Sequence, residues 1–215
     1  DFQPQFYSVS DEEVTVYLEH EGQIVQVEYL NESVYTNVSI SKSGYTQVVP
    51  GQEIRYTFKD IGNNSTVPLD SFYWRDTLPT DAVRLDKIIT GTYSARLNYK
   101  VVFQTNLNDT QRVLADNLNT QKNYTLDASP AALGLASNEY VTQVTFLFGR
   151  VPGGFKQVET PYIYCDVLSS LSHEYRFANK CDVGGMWQNQ WVQATDRWVT
   201  IIYAAVLSPL CQTGY

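Results

Sequence analysis

The sequence predicts an all-β protein, an antiparallel β-sandwich with a small hairpin region at its N-terminus. Three observations lead there. Apolar residues recur at spacing two along most of the 215 residues, the period of a strand whose two faces meet different surroundings. Turn-forming clusters interrupt these stretches at Pro50-Gly51, Gly62-Asn63-Asn64-Ser65 and Pro152-Gly153-Gly154. Little helical periodicity lies between them, so strands follow strands and pair antiparallel. Hydrophobic residues make up 43% and charged residues 18%, a globular composition, and the length gives one large domain or a domain with a smaller partner.

In chain order, Val14, Val16 and Leu18 form one strand face, and Val25, Val27 and Tyr29 form a second after the turn at His20 to Gln23. The Asn/Ser/Thr-rich segment that follows reads as a connector. Residues 1–36 are therefore an N-terminal hairpin or the end of a preceding module, because two strands alone are marginally stable. Residues 37–207 form the main sandwich, and 208–215 a tail. Within the sandwich, alternation marks Ile54, Tyr56, Phe58; Phe72, Trp74; Leu97, Tyr99, Val101, Phe103; and Tyr140, Thr142, Val144, Phe146, Phe148. It continues through Tyr162, Tyr164 and then Val199, Ile201, Tyr203. One short helix fits Ser129 to Leu135, with Ser129 capping free amides and Pro130 at the first helical position.

Charge and composition exclude several functions. Lys and Arg number 15 against 23 acids, a net charge of −8 with no basic run, so neither nucleic acid nor an anionic membrane surface is an expected partner. Two histidines and three cysteines without a CxxC pair offer few metal ligands; no metal or cofactor is expected. The longest apolar stretch, Trp198 to Leu207, is too short to span a bilayer, so no membrane insertion is expected within this fragment.

Several motifs together resemble one family. Ser39-Ile-Ser-Lys42-Ser-Gly44 is followed by Pro50-Gly-Gln-Glu-Ile-Arg-Tyr-Thr-Phe58, then Gly62-Asn-Asn64, Asp76-Thr-Leu-Pro79 and Phe177-Ala-Asn179-Lys-Cys181-Asp-Val183. In this order they resemble the conserved-repeat domain of Gram-positive cell-surface proteins, over roughly residues 37 to 185; Cys181 stands where that family has Ala. Leu210-Cys211-Gln212-Thr213-Gly214 is similar to the Leu-Pro-x-Thr-Gly sorting signal of sortase substrates. Cys211 replaces the Pro that presets the bend. The resemblance implies an Ig-like, adhesin-like sandwich that is secreted, anchored to the cell wall by a sortase, and continued past Tyr215 by an apolar helix and a basic tail.

Period two places three polar residues inward: Lys42 with Val38 and Ile40, Asp76 with Phe72 and Trp74, and Asn179 with Tyr175 and Phe177. In the folds this chain resembles, a Lys, an Asp and an Asn so placed form an intramolecular isopeptide bond. An apolar core favours the neutral forms of amine and acid, so Lys42 attacks the Asn179 amide while Asp76 polarises it, and ammonia leaves. The competing reading gives each residue a local role at a strand end, Lys42 before Ser43-Gly44 and Asp76 before a Thr-Leu-Pro turn. Lys59 alternates onto the solvent face.

Cys165 and Cys181 read as buried free thiols more readily than as a disulfide, since three cysteines leave one unpaired. Cys165 with His173 lacks the third group and oxyanion donors of a nucleophilic site. Trp187 and Trp191, taken as lying on one face, suggest either a sugar-stacking platform or core packing. The expected function is therefore a non-catalytic surface module, a stalk or adhesin segment; the alternative is a carbohydrate-binding module. Partners would be sortase and a host or cell-wall glycan or protein ligand.

Overall fold

A computed structural model describes residues 33–205 in full, and before them the backbone of β1 (Gln3–Val9), β2 (Glu13–His20) and β3 (Gln23–Leu30). These three form their own antiparallel sheet in the order β1-β2-β3, one strand more than a hairpin. Pro4 lies within β1, opposite Leu18. Its missing N–H is tolerated because β1 is an edge strand.

The remaining strands are β4 (Val38–Ser43), β5 (Gln47–Val48), β6 (Glu53–Asn63), β7 (Leu69–Thr77), β8 (Val83–Ile89), β9 (Asn98–Thr105), β10 (Arg112–Asn119), β11 (Thr125–Asp127), β12 (Val141–Val151), β13 (Tyr162–Val167), β14 (Arg176–Trp187) and β15 (Gln190–Ile202). They build a β-sandwich. A seven-stranded sheet runs β10-β9-β12-β7-β14-β15-β5, and a five-stranded sheet runs β11-β8-β13-β6-β4. All pairings are antiparallel except the short one of β5 with β15. Helix α1 (Pro130–Leu133) is decoration. Ser129 accepts the Ala132 N–H at its start, and Gly134 ends it at φ 64°, a left-handed cap that glycine adopts without strain.

The inner faces of both sheets share one core. Trp74, Phe146, Phe148, Tyr99, Phe72 and Phe155 pack ring on ring. Polar tips are satisfied inside it: the Trp74 indole donates to the Tyr93 hydroxyl at 3.0 Å, which donates to the Thr90 carbonyl at 3.0 Å. Rings this large contribute mainly by burial, about 3–5 kcal/mol each on truncation to Ala.

The structure decides which faces of two strands are buried and corrects one sequence expectation. In β13 the buried residues are Ile163, Cys165 and Val167, while Tyr162 and Tyr164 turn outward under Arg55 and Lys87. In β15, Thr200 and Ile202 are buried and Val199 and Tyr203 exposed. Both strands carry apolar residues at odd and even positions, so alternation alone does not say which set is inside. Trp187 and Trp191 leave opposite faces of their hairpin, because Trp191 pairs with Met186 and Trp187 with Gln190 across a two-residue turn. Parity holds within a strand and is reset by the turn at Gln188-Asn189, both at positive φ; Trp187 and Trp191 do not share a face. Leu210, Cys211, Gln212, Thr213 and Gly214 lie outside the described residues. Among the described residues, no helix is long and apolar enough to cross a membrane.

Candidate functional site

β4 ends the five-stranded sheet, with burial alternating down its length so that Val38, Ile40 and Lys42 point inward. A lysine in that row has a buried stem and must find a partner for its amine. It finds it across the sandwich. Lys42 Nζ lies 2.6 Å from Asp76 Oδ1, both side chains fully buried. Asn179 Nδ2 donates to the other oxygen, Asp76 Oδ2, at 3.3 Å. Asp76 sits on β7 and Asn179 on β14, neighbouring strands in the middle of the seven-stranded sheet. The structure thus brings together Lys42, Asp76 and Asn179 from strands far apart in sequence.

The walls are aromatic. Tyr56 and Phe58 of β6 place their rings 4.4 and 4.3 Å from Lys42 Nζ, and Trp198 is the cross-strand neighbour of Asn179. Gly44 lets the chain pass close: a Cβ there would stand 3.0 Å from the Tyr56 ring and 3.2 Å from Trp198. Two polar atoms in this dry site lack hydrogen-bond partners, Asn179 Oδ1 and the Tyr56 hydroxyl. An orphaned buried acceptor costs about 1–3 kcal/mol, so the amide is held at a price in stability.

Burial pushes the Asp76 carboxyl up from its ordinary value, while Lys42 beside it pulls the other way. In so dry a site, passing one proton from ammonium to carboxylate removes two buried charges at once. Cys181, the register partner of Asp76, and Cys165 complete the surroundings as buried free thiols. Burial drives both upward, Cys181 to about 12 and Cys165 well above its usual range, so neither supplies a thiolate at neutral pH. His173 is on the surface, where Nδ1 accepts the Ala204 N–H, while Cys165 is sealed in the core.

Sequence reasoning missed Asp196. Its Oδ2 accepts the Lys42 backbone N–H at 2.7 Å, and Oδ1 accepts the Arg197 N–H at 2.9 Å, tying β4 to β15 beside the triad. The signal was present: Asp196 is an acid in a row with Val192, Ala194 and Trp198, at the parity that faces inward. Lys59, by contrast, is exposed.

No family model matches the chain, and no curated protein matches it. Among solved structures it is similar to the collagen-binding subdomain of the Enterococcus faecalis surface protein ACE, at 11% identity over 77% of this chain and 96% of that one, TM-score 0.32. A collagen-binding domain from a Staphylococcus aureus adhesin aligns at 10% identity over 80% and 99% of the two chains, TM-score 0.31. A membrane-anchored protein from Corynebacterium diphtheriae aligns at 11% identity over 92% of this chain and 45% of that one, TM-score 0.40. Overlap this loose is a resemblance between β-folds, and what those proteins bind stays with them.

Proposed function

We propose that the chain is a non-catalytic structural module of a secreted, cell-wall-anchored surface protein, a stalk or adhesin segment whose two sheets are joined by an isopeptide bond between Lys42 and Asn179. The supporting observation is the sealed triad, with Lys42 Nζ 2.6 Å from Asp76 and Asp76 hydrogen-bonded to the Asn179 amide. The chemistry balances within the three side chains. Asp76 takes the ammonium proton, leaving a neutral amine. A half-turn of the Asn179 amide presents Oδ1 to the protonated acid, which polarises the carbonyl as Nζ attacks Cγ. The Nζ–Cγ bond forms, the Cγ–Nδ2 bond breaks, and the proton lost by Nζ passes through Asp76 to the departing ammonia. The same half-turn gives the orphaned Oδ1 a donor.

The placement suits a load-bearing part. Lys42 lies in the first strand of the sandwich and Asn179 in the last hairpin, so a covalent link between them routes tension past everything in between. Intact mass tests the reading. The folded wild type should weigh one ammonia less than its sequence, and Asp76→Ala should restore the full mass. A wild type of unmodified mass would remove the bond and leave a buried ion pair.

A further inference from the structure

The net charge of −8 is not spread evenly over the sandwich. β9, β12, β7, β14 and β15 lie side by side, and three successive registered rows cross all five on the face turned away from the core. The charged residues in those rows are Lys100, Arg75, Lys180 and Arg197 against the single acid Asp182, with Asp116 of the adjoining β10 beside Lys100 at the margin. Asp182 is already engaged, accepting the Tyr73 hydroxyl at 2.7 Å with Arg75 3.8 Å away. Lys100, Lys180 and Arg197 are exposed, and among the described residues none has an ion pair. The outer face of the other sheet is balanced by comparison: Arg55 and Lys87 flank Tyr164, and Arg84 and Glu53 flank Asp166, with Asp86 nearby.

Two further features give this face a shape. Lys180 and Arg197 are direct cross-strand partners, an arrangement of like charges that costs stability until an anion lies between them. A concavity of about 610 Å³ opens over them, with Thr77, Thr195 and Gln193 along it. Asp182 and Asp196 also border it, Asp182 accepting the Tyr73 hydroxyl and the two oxygens of Asp196 occupied by the backbone N–H groups of Lys42 and Arg197. Beyond Gln193 on the same face stands Trp191, half exposed at 51% and set edge-on against Tyr73 at 5.9 Å. Tyr73 is fixed beneath it by Asp182, by Gln193 and by Gly184, where a Cβ would come within 2.9 Å of the ring. The Trp191 ring is therefore presented on a rigid support.

We infer that this face binds a sulfated uronic-acid glycan. Four cations spread over strands about 4.8 Å apart span roughly 19 Å, the reach of several sugar units that each carry charge. Thr and Gln side chains between them match hydroxyl groups, and Trp191 offers an apolar surface for a pyranose ring. An extended acidic peptide fits less well, because strand addition could occur only along the outer edge of β15, which β5 covers at Ile201 and Ile202 alone, and a peptide lying there would not reach Arg75 or Lys100, two and four strands away. The inference deepens the surface-module reading and shares its extracellular setting. It does not depend on the Lys42–Asn179 bond, whose mass readout is separate.

The full chain is titrated with size-defined heparin oligosaccharides, with polyglutamate and a DNA duplex of equal charge alongside, at low and physiological salt. Saturable heparin binding that weakens as salt rises is expected, with polyglutamate and duplex at least about tenfold weaker. Lys180→Glu with Arg197→Glu should weaken binding at least about tenfold, and Trp191→Ala several-fold. Arg55→Glu with Lys87→Glu on the opposite sheet should change it less than about twofold, all variants keeping the wild-type circular dichroism spectrum. Absence of heparin binding at low salt overturns the inference. So does equal binding of polyglutamate or duplex, and so does indifference to the Lys180/Arg197 reversal.

Discussion

Lys42 shows how much one side chain can ask of its surroundings. An amine carried inward on the edge strand of a sheet has no backbone carbonyl to turn to, and here its needs are met by one carboxylate and two ring faces. Such a pair is weak evidence for stability, since desolvating both charges offsets their attraction. Breaking it from one side is a different matter. In Lys42→Met, Asp76 stays buried without its cation, and burial holds its folded pKa above the unfolded value of 3.8. The stability carried by that carboxyl is then fully present below about pH 3.8 and is lost as pH rises through the folded value. Urea midpoints of Lys42→Met should therefore fall as pH is raised from about 4 towards 8, relative to Lys42→Met/Asp76→Asn, which has no carboxyl to ionise. Parallel profiles for the two variants would mean that the carboxyl is not held in a dry site.

At the scale of the element, the position of Lys42 depends on an irregularity in its neighbour. Ser39 pairs with Gly62 and Ser41 with Lys59, so Asp60 and Ile61 together oppose the single residue Ile40. This is a β-bulge. It resets the parity of β6 from Ile54, Tyr56 and Phe58 to Ile61 and Asn63, all buried, and keeps Phe58 opposite Lys42. Asp60 adopts φ 56° to make the bulge and is exposed, a conformation that glycine takes at lower cost than an L side chain. Asp60→Gly should leave the fold intact and raise stability by up to about 1 kcal/mol, read from denaturant midpoints. A marked loss would show that the aspartate side chain itself holds the bulge.

For the whole molecule, a Lys42–Asn179 bond would close a loop containing nearly all of the sandwich. In the entropic account a closure of that length constrains the unfolded chain by about 4–5 kcal/mol. Thermal midpoints of wild type and Asp76→Ala should differ accordingly, although the variant also loses a core contact. Force spectroscopy separates the two effects. Pulled from either side of residues 33–205, the wild type should extend only by the short segments outside the bond, while Asp76→Ala should release the full contour length of the sandwich. Equal extension of both would count against a covalent link.

What the sequence by itself determined was whatever is decided inside one strand or by adjacent residues at a helix cap. Period two gave the all-β sandwich and placed Lys42, Asp76 and Asn179 inward, because alternation is a property of a single extended backbone. Ser129-Pro130 gave the short helix, because capping uses only adjacent residues. Tertiary structure decided what depends on which strands become neighbours. It turned Tyr162 and Tyr164 outward, separated Trp187 from Trp191 at a tight turn, brought Asp196 to the Lys42 N–H, and gathered Lys100, Arg75, Lys180 and Arg197 onto one face. Composition concealed that last grouping, since a net charge of −8 says nothing of where the cations lie. The physical reason is common to all four: lateral pairing joins residues up to about 150 positions apart, and only the closed sheet fixes their register.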